Sequence, residues 1–148
     1  AREKGFDEPL FLDTRGFVAE GAVNNIFVVK RGALYTPPEG RILAGITRYT
    51  VMEIARDLGI AVHKKRFRPE FLRNAEEIFM TGTGIELKPV SSIHGYFAGK
   101  KLTAPISQAI TEHYKAITRG DLQRYRKWLT PIKRAPHHWS VKLFSVGL

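Results

Sequence analysis

Ile26-Phe27-Val28-Val29-Lys30-Arg31-Gly32-Ala33-Leu34-Tyr35 is the stretch on which the reading of this chain turns. A β-branched and aromatic run, a polar pair closed by glycine and a second apolar run predict a β-hairpin with its turn at Lys30-Arg31-Gly32. On the N-terminal side, Leu10-Phe11-Leu12 reads as a short strand ended by the turn Asp13-Thr14-Arg15-Gly16. Phe17 to Ala19 starts another extended piece. On the C-terminal side, Pro37-Pro38-Glu39-Gly40 forbids a regular element. Val51, Ile54, Ala55 and Leu58 then repeat at i, i+3, i+4 and i+7, which predicts a helix from about Thr47 to Leu58, stopped by Gly59.

Further along, Ile60 to His63 reads as a strand and Pro69-Glu70-Phe71-Leu72 as a short helix with proline in its first turn. Glu77 to Met80 is a strand leading into Thr81-Gly82-Thr83-Gly84. Glu86 to Val90 is extended, and His94-Gly95 makes a turn. A last helix starts at Pro105, with Ile106, Ile110, Tyr114 and Ile117 on one side and Gly120 beyond its end. Strands and helices alternate without an internal repeat, so the fold class is α/β or α+β. Residues 1–120 read as one domain. The basic, proline-broken stretch Lys133-Arg134-Ala135-Pro136-His137-His138 makes 121–148 a tail of uncertain order.

The 148 residues, 43% hydrophobic and 26% charged, suffice for one soluble domain with a real core. No apolar run approaches the ~18–20 residues that cross a bilayer. The charged start Ala1-Arg2-Glu3-Lys4 is unlike a signal peptide, and without an initiator Met it points to a processed or truncated beginning. The chain has no cysteine, which excludes disulfides, thiolate catalysis and cysteine-ligated metals; no metal site is expected, and a cytoplasmic location is the default. Of the net charge of +10, half lies in the final 28 residues, where six Lys or Arg face one Asp. Elsewhere the signs are mixed and no aromatics interleave with the basic residues, which argues against a nucleic-acid partner.

Three segments could meet a phosphate-bearing cofactor. In Ala19-Glu20-Gly21-Ala22-Val23-Asn24-Asn25, a carboxylate lies between two apolar pieces, beside a glycine that permits close approach. By spacing alone Glu20 reads as a surface turn carboxylate. Leu43-Ala44-Gly45-Ile46-Thr47-Arg48 feeds a glycine loop into a helix, an anion-binding junction to which Thr47 adds a hydroxyl; capping by Thr47 is the plainer alternative. In Met80-Thr81-Gly82-Thr83-Gly84, successive N–H groups could cradle a phosphate or carboxylate, though an ordinary turn serves equally and the ending of a P-loop is missing.

In this order, Glu20-Gly21-Ala22 with Asn25-Ile26-Phe27, Leu34-Tyr35-Thr36-Pro37-Pro38, Gly45-Ile46-Thr47-Arg48 and Glu77-Ile78-Phe79-Met80-Thr81-Gly82-Thr83 resemble the fold-type IV (class IV) aminotransferases, which use pyridoxal 5′-phosphate. The resemblance runs from about Phe6 to Ile117, and the Gly82-Thr83 pair looks most like the branched-chain amino-acid enzymes. It implies the large C-terminal domain of that fold, truncated on its N-terminal side. Glu20 would pair with the pyridine nitrogen. Gly45, Ile46 and Thr47 at a helix start, with Gly82 and Thr83, would hold the phosphate, and Leu43 would pack on the ring. Thr83 and Gly84 would meet the substrate carboxylate; Gly84 stands where the branched-chain enzymes usually have Ala.

The same resemblance puts the Schiff-base lysine some thirty-odd residues before Glu20, ahead of Ala1, since Lys4 is too close in sequence. The expectation is therefore a fragment that does not transaminate by itself. The whole protein would move an amino group between branched-chain amino acids and 2-oxoglutarate, as a homo-oligomer. A D-amino-acid aminotransferase, an aminodeoxychorismate lyase and a non-catalytic basic interaction module remain as alternatives.

Overall fold

In the computed structural model, which describes residues 1–98 and 104–132, strands β1 (Asn25–Lys30) and β2 (Ala33–Thr36) form the expected hairpin. Both turn residues take positive φ, Arg31 at 52° and Gly32 at 69°. That backbone matches the twist of the flanking strands. The Glu76 carboxylate secures it by accepting from the N–H of Arg31 at 2.6 Å and of Gly32 at 3.2 Å.

Around this hairpin the chain builds a five-stranded sheet. Strand β3 (Val62–Lys64) runs parallel to β2, while β4 (Glu77–Gly82) and β5 (Glu86–Pro89) extend the other side antiparallel, giving the order β3-β2-β1-β4-β5. Helix α1 (Ile46–Asp57) makes the crossover between β2 and β3. A small hairpin follows, β6 (Ser92–Ile93) with β7 (Phe97–Ala98), and then helix α2 (Pro105–Arg119). Mixed strand directions with helices between them make the α/β class the observed one.

Central strand β1 is buried on both faces, and its alternation divides the core. Phe27 and Val29 pack with Val51, Ile54, Phe79 and Ile110 beneath the helices, and Phe27 stacks on Phe79 with ring centroids 5.2 Å apart. Ile26 and Val28 pack on the opposite face with Val18, Phe67, Leu72 and Ile78. A side-chain period of two forces this division once both faces are covered.

Three readings shift, each for a local reason. Leu10-Phe11-Leu12 forms no regular strand but an irregular ladder: Phe11 N–H bonds the Glu20 carbonyl at 2.8 Å, Ala19 N–H the Phe11 carbonyl at 2.9 Å, and Leu12 and Val18 make an isolated bridge. The strand expected from Ile60 starts at Val62, because the Ile60 N–H is spent on the Ala55 carbonyl at the end of α1. Leu58 is 40% exposed as the C-cap of α1, with Gly59 behind it at φ 72°. Beyond Gly120, a 3-10 helix (Gln123–Trp128) lays Tyr125 into the core, with its hydroxyl donating to the Asp57 carboxylate. Residues 133–148, most of the stretch read as a basic tail, lie outside the described residues.

The start of α2 is held from the sheet. Ala104 supplies no side-chain cap; instead Glu77 of β4, 6% exposed, accepts from the N–H of Ile106 at 3.0 Å and of Ser107 at 2.8 Å. A carboxylate at a helix N-terminus satisfies donors the helix itself leaves open and meets the positive end of its dipole. Glu77→Ala strips both acceptors from a buried site, and a loss of about 1–3 kcal/mol is expected in urea unfolding. An unchanged midpoint would mean the cap contributes nothing.

Candidate functional site

Glu20 leaves the irregular ladder just before β1, and the loop after it is clamped from behind. Glu8 accepts from the Ala22 N–H at 2.9 Å and from Asn24 Nδ2 at 3.0 Å. Gly21 leaves no room for a side chain: a Cβ there would lie 2.6 Å from Glu8 Oε1 and 2.7 Å from Met80 Cε. Glu20 is half-buried rather than a free surface carboxylate. The Leu43 N–H donates to Oε1 at 3.2 Å and to Oε2 at 3.1 Å, and Asn25 Nδ2 donates to Oε2 at 3.0 Å.

The same Asn25 nitrogen also donates to the Leu43 carbonyl at 2.9 Å, so the main-chain groups of Leu43 are tied to Asn25 at the start of β1 and to Glu20 before it. Two residues on, a Cβ at Gly45 would stand 2.3 Å from Asn25 Oδ1. Gly45 is the N-cap of α1, makes no side-chain capping bond, and is followed by a first turn free of acidic residues. Thr47 is therefore not the cap. It sits inside the first turn, 6% exposed, while Leu43 and Ile46 on either side of the cap are 71% and 84% exposed. An uncapped helix start presents N–H donors and a positive dipole end, which suits an anion.

The third segment arrives through the other asparagine. Gly82 ends β4, and a Cβ on it would lie 2.2 Å from Asn24 Oδ1. Thr83 and Gly84 follow in the exposed turn between β4 and β5. On β4 the Thr81 hydroxyl is buried without a hydrogen-bond partner, and its register neighbour across the sheet is Asn25. The structure thus gathers all three segments, with Asn25 linking Glu20 to Leu43 and Gly45, and Asn24 linking that loop to Gly82.

Neither asparagine was assigned a role from sequence, although a signal existed. Asn25 shares the register face of Phe27 and Val29, and a buried amide requires partners. Glu8 carried no such signal, lying 14 residues from the loop it holds. Arg48 was also missed as a structural element. It is 2% exposed, donating to Thr36 Oγ1 at 3.2 Å, to the Pro37 carbonyl at 2.8 Å and to Glu39 Oε1 at 3.0 Å. Those bonds moor the first turn of α1 to the end of β2. Beside it, an open concavity of about 280 Å³ is lined by Glu39, Ala44, Gly45, Ile46, Arg48, Tyr49 and Met52. It shares Gly45 and Ile46 with the helix start but does not reach Glu20 or Thr83. Among the described residues no cluster of His, Asp and Glu could hold a metal ion, and no helix is long and apolar enough to cross a membrane.

The family described as amino-transferase class IV matches residues 1–93. A probable branched-chain-amino-acid aminotransferase of Aquifex aeolicus (strain VF5) is 40% identical over 130 residues, 86% of this chain and 42% of that protein. Among solved structures, the branched-chain aminotransferase from Thermoproteus uzoniensis with norvaline superposes with a TM-score of 0.82 at 45% identity, covering 88% of this chain and 43% of that one. The branched-chain amino acid aminotransferase from Thermobaculum terrenum in its PLP form superposes with a TM-score of 0.86 at 36% identity, covering 90% and 44%. The chain spans less than half the length of the curated relatives it matches.

Two outcomes are expected of this geometry. Gly45→Ala pushes a methyl group into Asn25 and costs about 1–3 kcal/mol by overpacking, read from thermal or urea unfolding. Stability equal to the parent would show that the loop gives way freely. The Glu39 carboxyl is held down to about 2 by its own backbone N–H and by the Arg48 guanidinium, with Lys64 adding to them. Its folded value lies below the ordinary 4.5, so this contribution is complete above pH 4.5 and is lost as the pH falls towards 2. Glu39→Gln should flatten that part of the acid-unfolding profile; an identical profile would remove Glu39 from the account.

Proposed function

The chain belongs to the class IV amino-transferases, and from that membership we propose that the complete gene product transfers an amino group between branched-chain amino acids and 2-oxoglutarate, using pyridoxal 5′-phosphate. These 148 residues form the part that receives the cofactor's ring nitrogen and phosphate. The observation that carries the reading is the held carboxylate of Glu20, tied through Leu43 and Asn25 to the uncapped start of α1.

The donor set suits such a group. A ring with a basic nitrogen at one end and a dianionic phosphate at the other needs an acid and an anion site at fixed separation. Glu20 serves as the acid, and the N–H groups of Ile46 and Thr47, the Thr47 hydroxyl and Thr83 serve as the anion site. The absence of a Cβ at Gly45 and Gly82 lets the Asn25 and Asn24 side chains draw these segments together, and the buried Thr81 hydroxyl is left without a partner.

When bound, pyridoxal phosphate supplies a ring that accepts the electrons released as a bond at the substrate Cα breaks. Glu20 keeps a proton on the ring nitrogen, which raises that capacity. Leu43, exposed beside Glu20, offers an apolar side chain to the ring face, and the Thr83 and Gly84 N–H groups orient the substrate carboxylate. None of the residues given a role here supplies the amine that would move the proton at the substrate Cα. Exposed Val23, Leu43, Ile46 and Tyr49 are apolar surface suited to cover by further protein, in keeping with a homo-oligomer.

Assays of the complete gene product with leucine or D-alanine, each with a 2-oxo acid, and with aminodeoxychorismate alone separate the branched-chain reading from the related chemistries; leucine with 2-oxoglutarate is the pair expected to react. Glu20→Ala should lower kcat/KM on the order of a hundredfold, the scale of losing one charged group that acts in the transition state. Undiminished transamination in that variant would refute the role given to Glu20.

A further inference from the structure

We propose that Asn25 is a positioning residue for Glu20: it fixes the carboxylate relative to the start of α1, and so governs how firmly Glu20 holds a proton on a ring nitrogen. The inference rests on the cofactor reading above and adds to it a residue that itself touches neither ring nor phosphate in that reading.

The argument begins with valence. A side-chain amide nitrogen carries two protons, and both are used here, one on Glu20 Oε2 at 3.0 Å and one on the Leu43 carbonyl at 2.9 Å. Serine and threonine have a single proton to give, and an ionised aspartate has none. Asn25 is 5% exposed, so each of these bonds replaces one that water cannot make. On its other side the Oδ1 atom lies against Gly45, at the position a Cβ would crowd to 2.3 Å. Leu43 closes the figure by donating its own N–H to both carboxylate oxygens.

Glutamate left to itself samples three side-chain torsions, and its carboxylate would wander by more than the length of a hydrogen bond. Held between Asn25 and Leu43, it has one orientation, measured from the same segment that starts the helix. Misplacement of an acting group by about 1 Å is enough to cost much of its effect. Asn25 sits on β1, the strand buried on both faces, so the reference point lies on a central, fully packed element.

The test is a double-mutant cycle on the complete gene product, with pyridoxamine 5′-phosphate as the probe in titration calorimetry. Asn25→Ala should weaken binding on the order of tenfold when Glu20 is present and less than about twofold in the Glu20→Gln background, because the two residues act as one unit. With a nitrogen-15 label in the probe's ring, the pH at which that nitrogen loses its proton should fall towards the free value in Asn25→Ala. A residue that merely stabilised the fold would leave that titration in place.

Equal losses in both backgrounds, or an unmoved ring titration, overturn the proposal. Should Asn25→Ala fail to fold, Asn25→Ser retains one donor and is expected to fall between the two in affinity and in ring titration; parent-like values for both overturn it as well. Failure of the unsubstituted protein to bind the probe would sink the cofactor reading itself, an outcome distinct from binding that ignores Asn25.

Discussion

Two consecutive asparagines at the entry to the central strand hold together everything that surrounds the candidate site. Asn25 bonds the Glu20 carboxylate and the Leu43 carbonyl and packs on Gly45, while Asn24 bonds Glu8 and packs on Gly82. Because successive side chains of a strand point to opposite faces, the pair reaches two different neighbours from adjacent positions. The Glu20 and Leu43 segments are thereby joined by hydrogen bonds that are short-range and directional, and the Gly82 segment by its close fit against Asn24. Apolar packing could bring those segments near one another but could not orient a carboxylate.

Around that pair the fold repeatedly uses a side chain of one element to finish the end of another. Glu77 on β4 caps α2, and Arg48 on α1 satisfies the carbonyl of Pro37 and the hydroxyl of Thr36 at the end of β2. Glu76 ties down the β1–β2 turn. Of the two α-helices described, α1 is the one whose start has no carboxylate or other side chain on its N–H groups, and exposed residues lie on either side of it. That open start is the feature on which the proposed anion site rests.

The elements that could be read from sequence are those whose signal is local. The Arg31-Gly32 turn, the Val51, Ile54, Ala55 stripe and the Gly59 and Gly120 stops each depend on a few neighbouring residues, and all are found. Glu20, Gly45 to Thr47 and Thr83 could be named because their motifs stand in the order of a known family. Leu10 to Leu12 misled because an apolar triplet does not reveal whether its partner is long enough for a strand. Ile60 misled because the hydrogen bond that claims its N–H comes from the helix before it.

The sequence by itself determined the α/β class, the hairpin at the centre, the family and the residue types available to a phosphate-bearing cofactor, since each follows from spacing, turn chemistry or motif order along the chain. Only the tertiary structure decided what holds Glu20, why Gly45 and Gly82 have no side chain, and that Glu77 rather than a local residue caps α2. The reason is that these are contacts between partners 5 to 58 positions apart in sequence, from Asn25 with Glu20 to Gly82 with Asn24. A buried polar atom states in the sequence that it needs a partner. Which partner it finds is settled by the packing of the sheet.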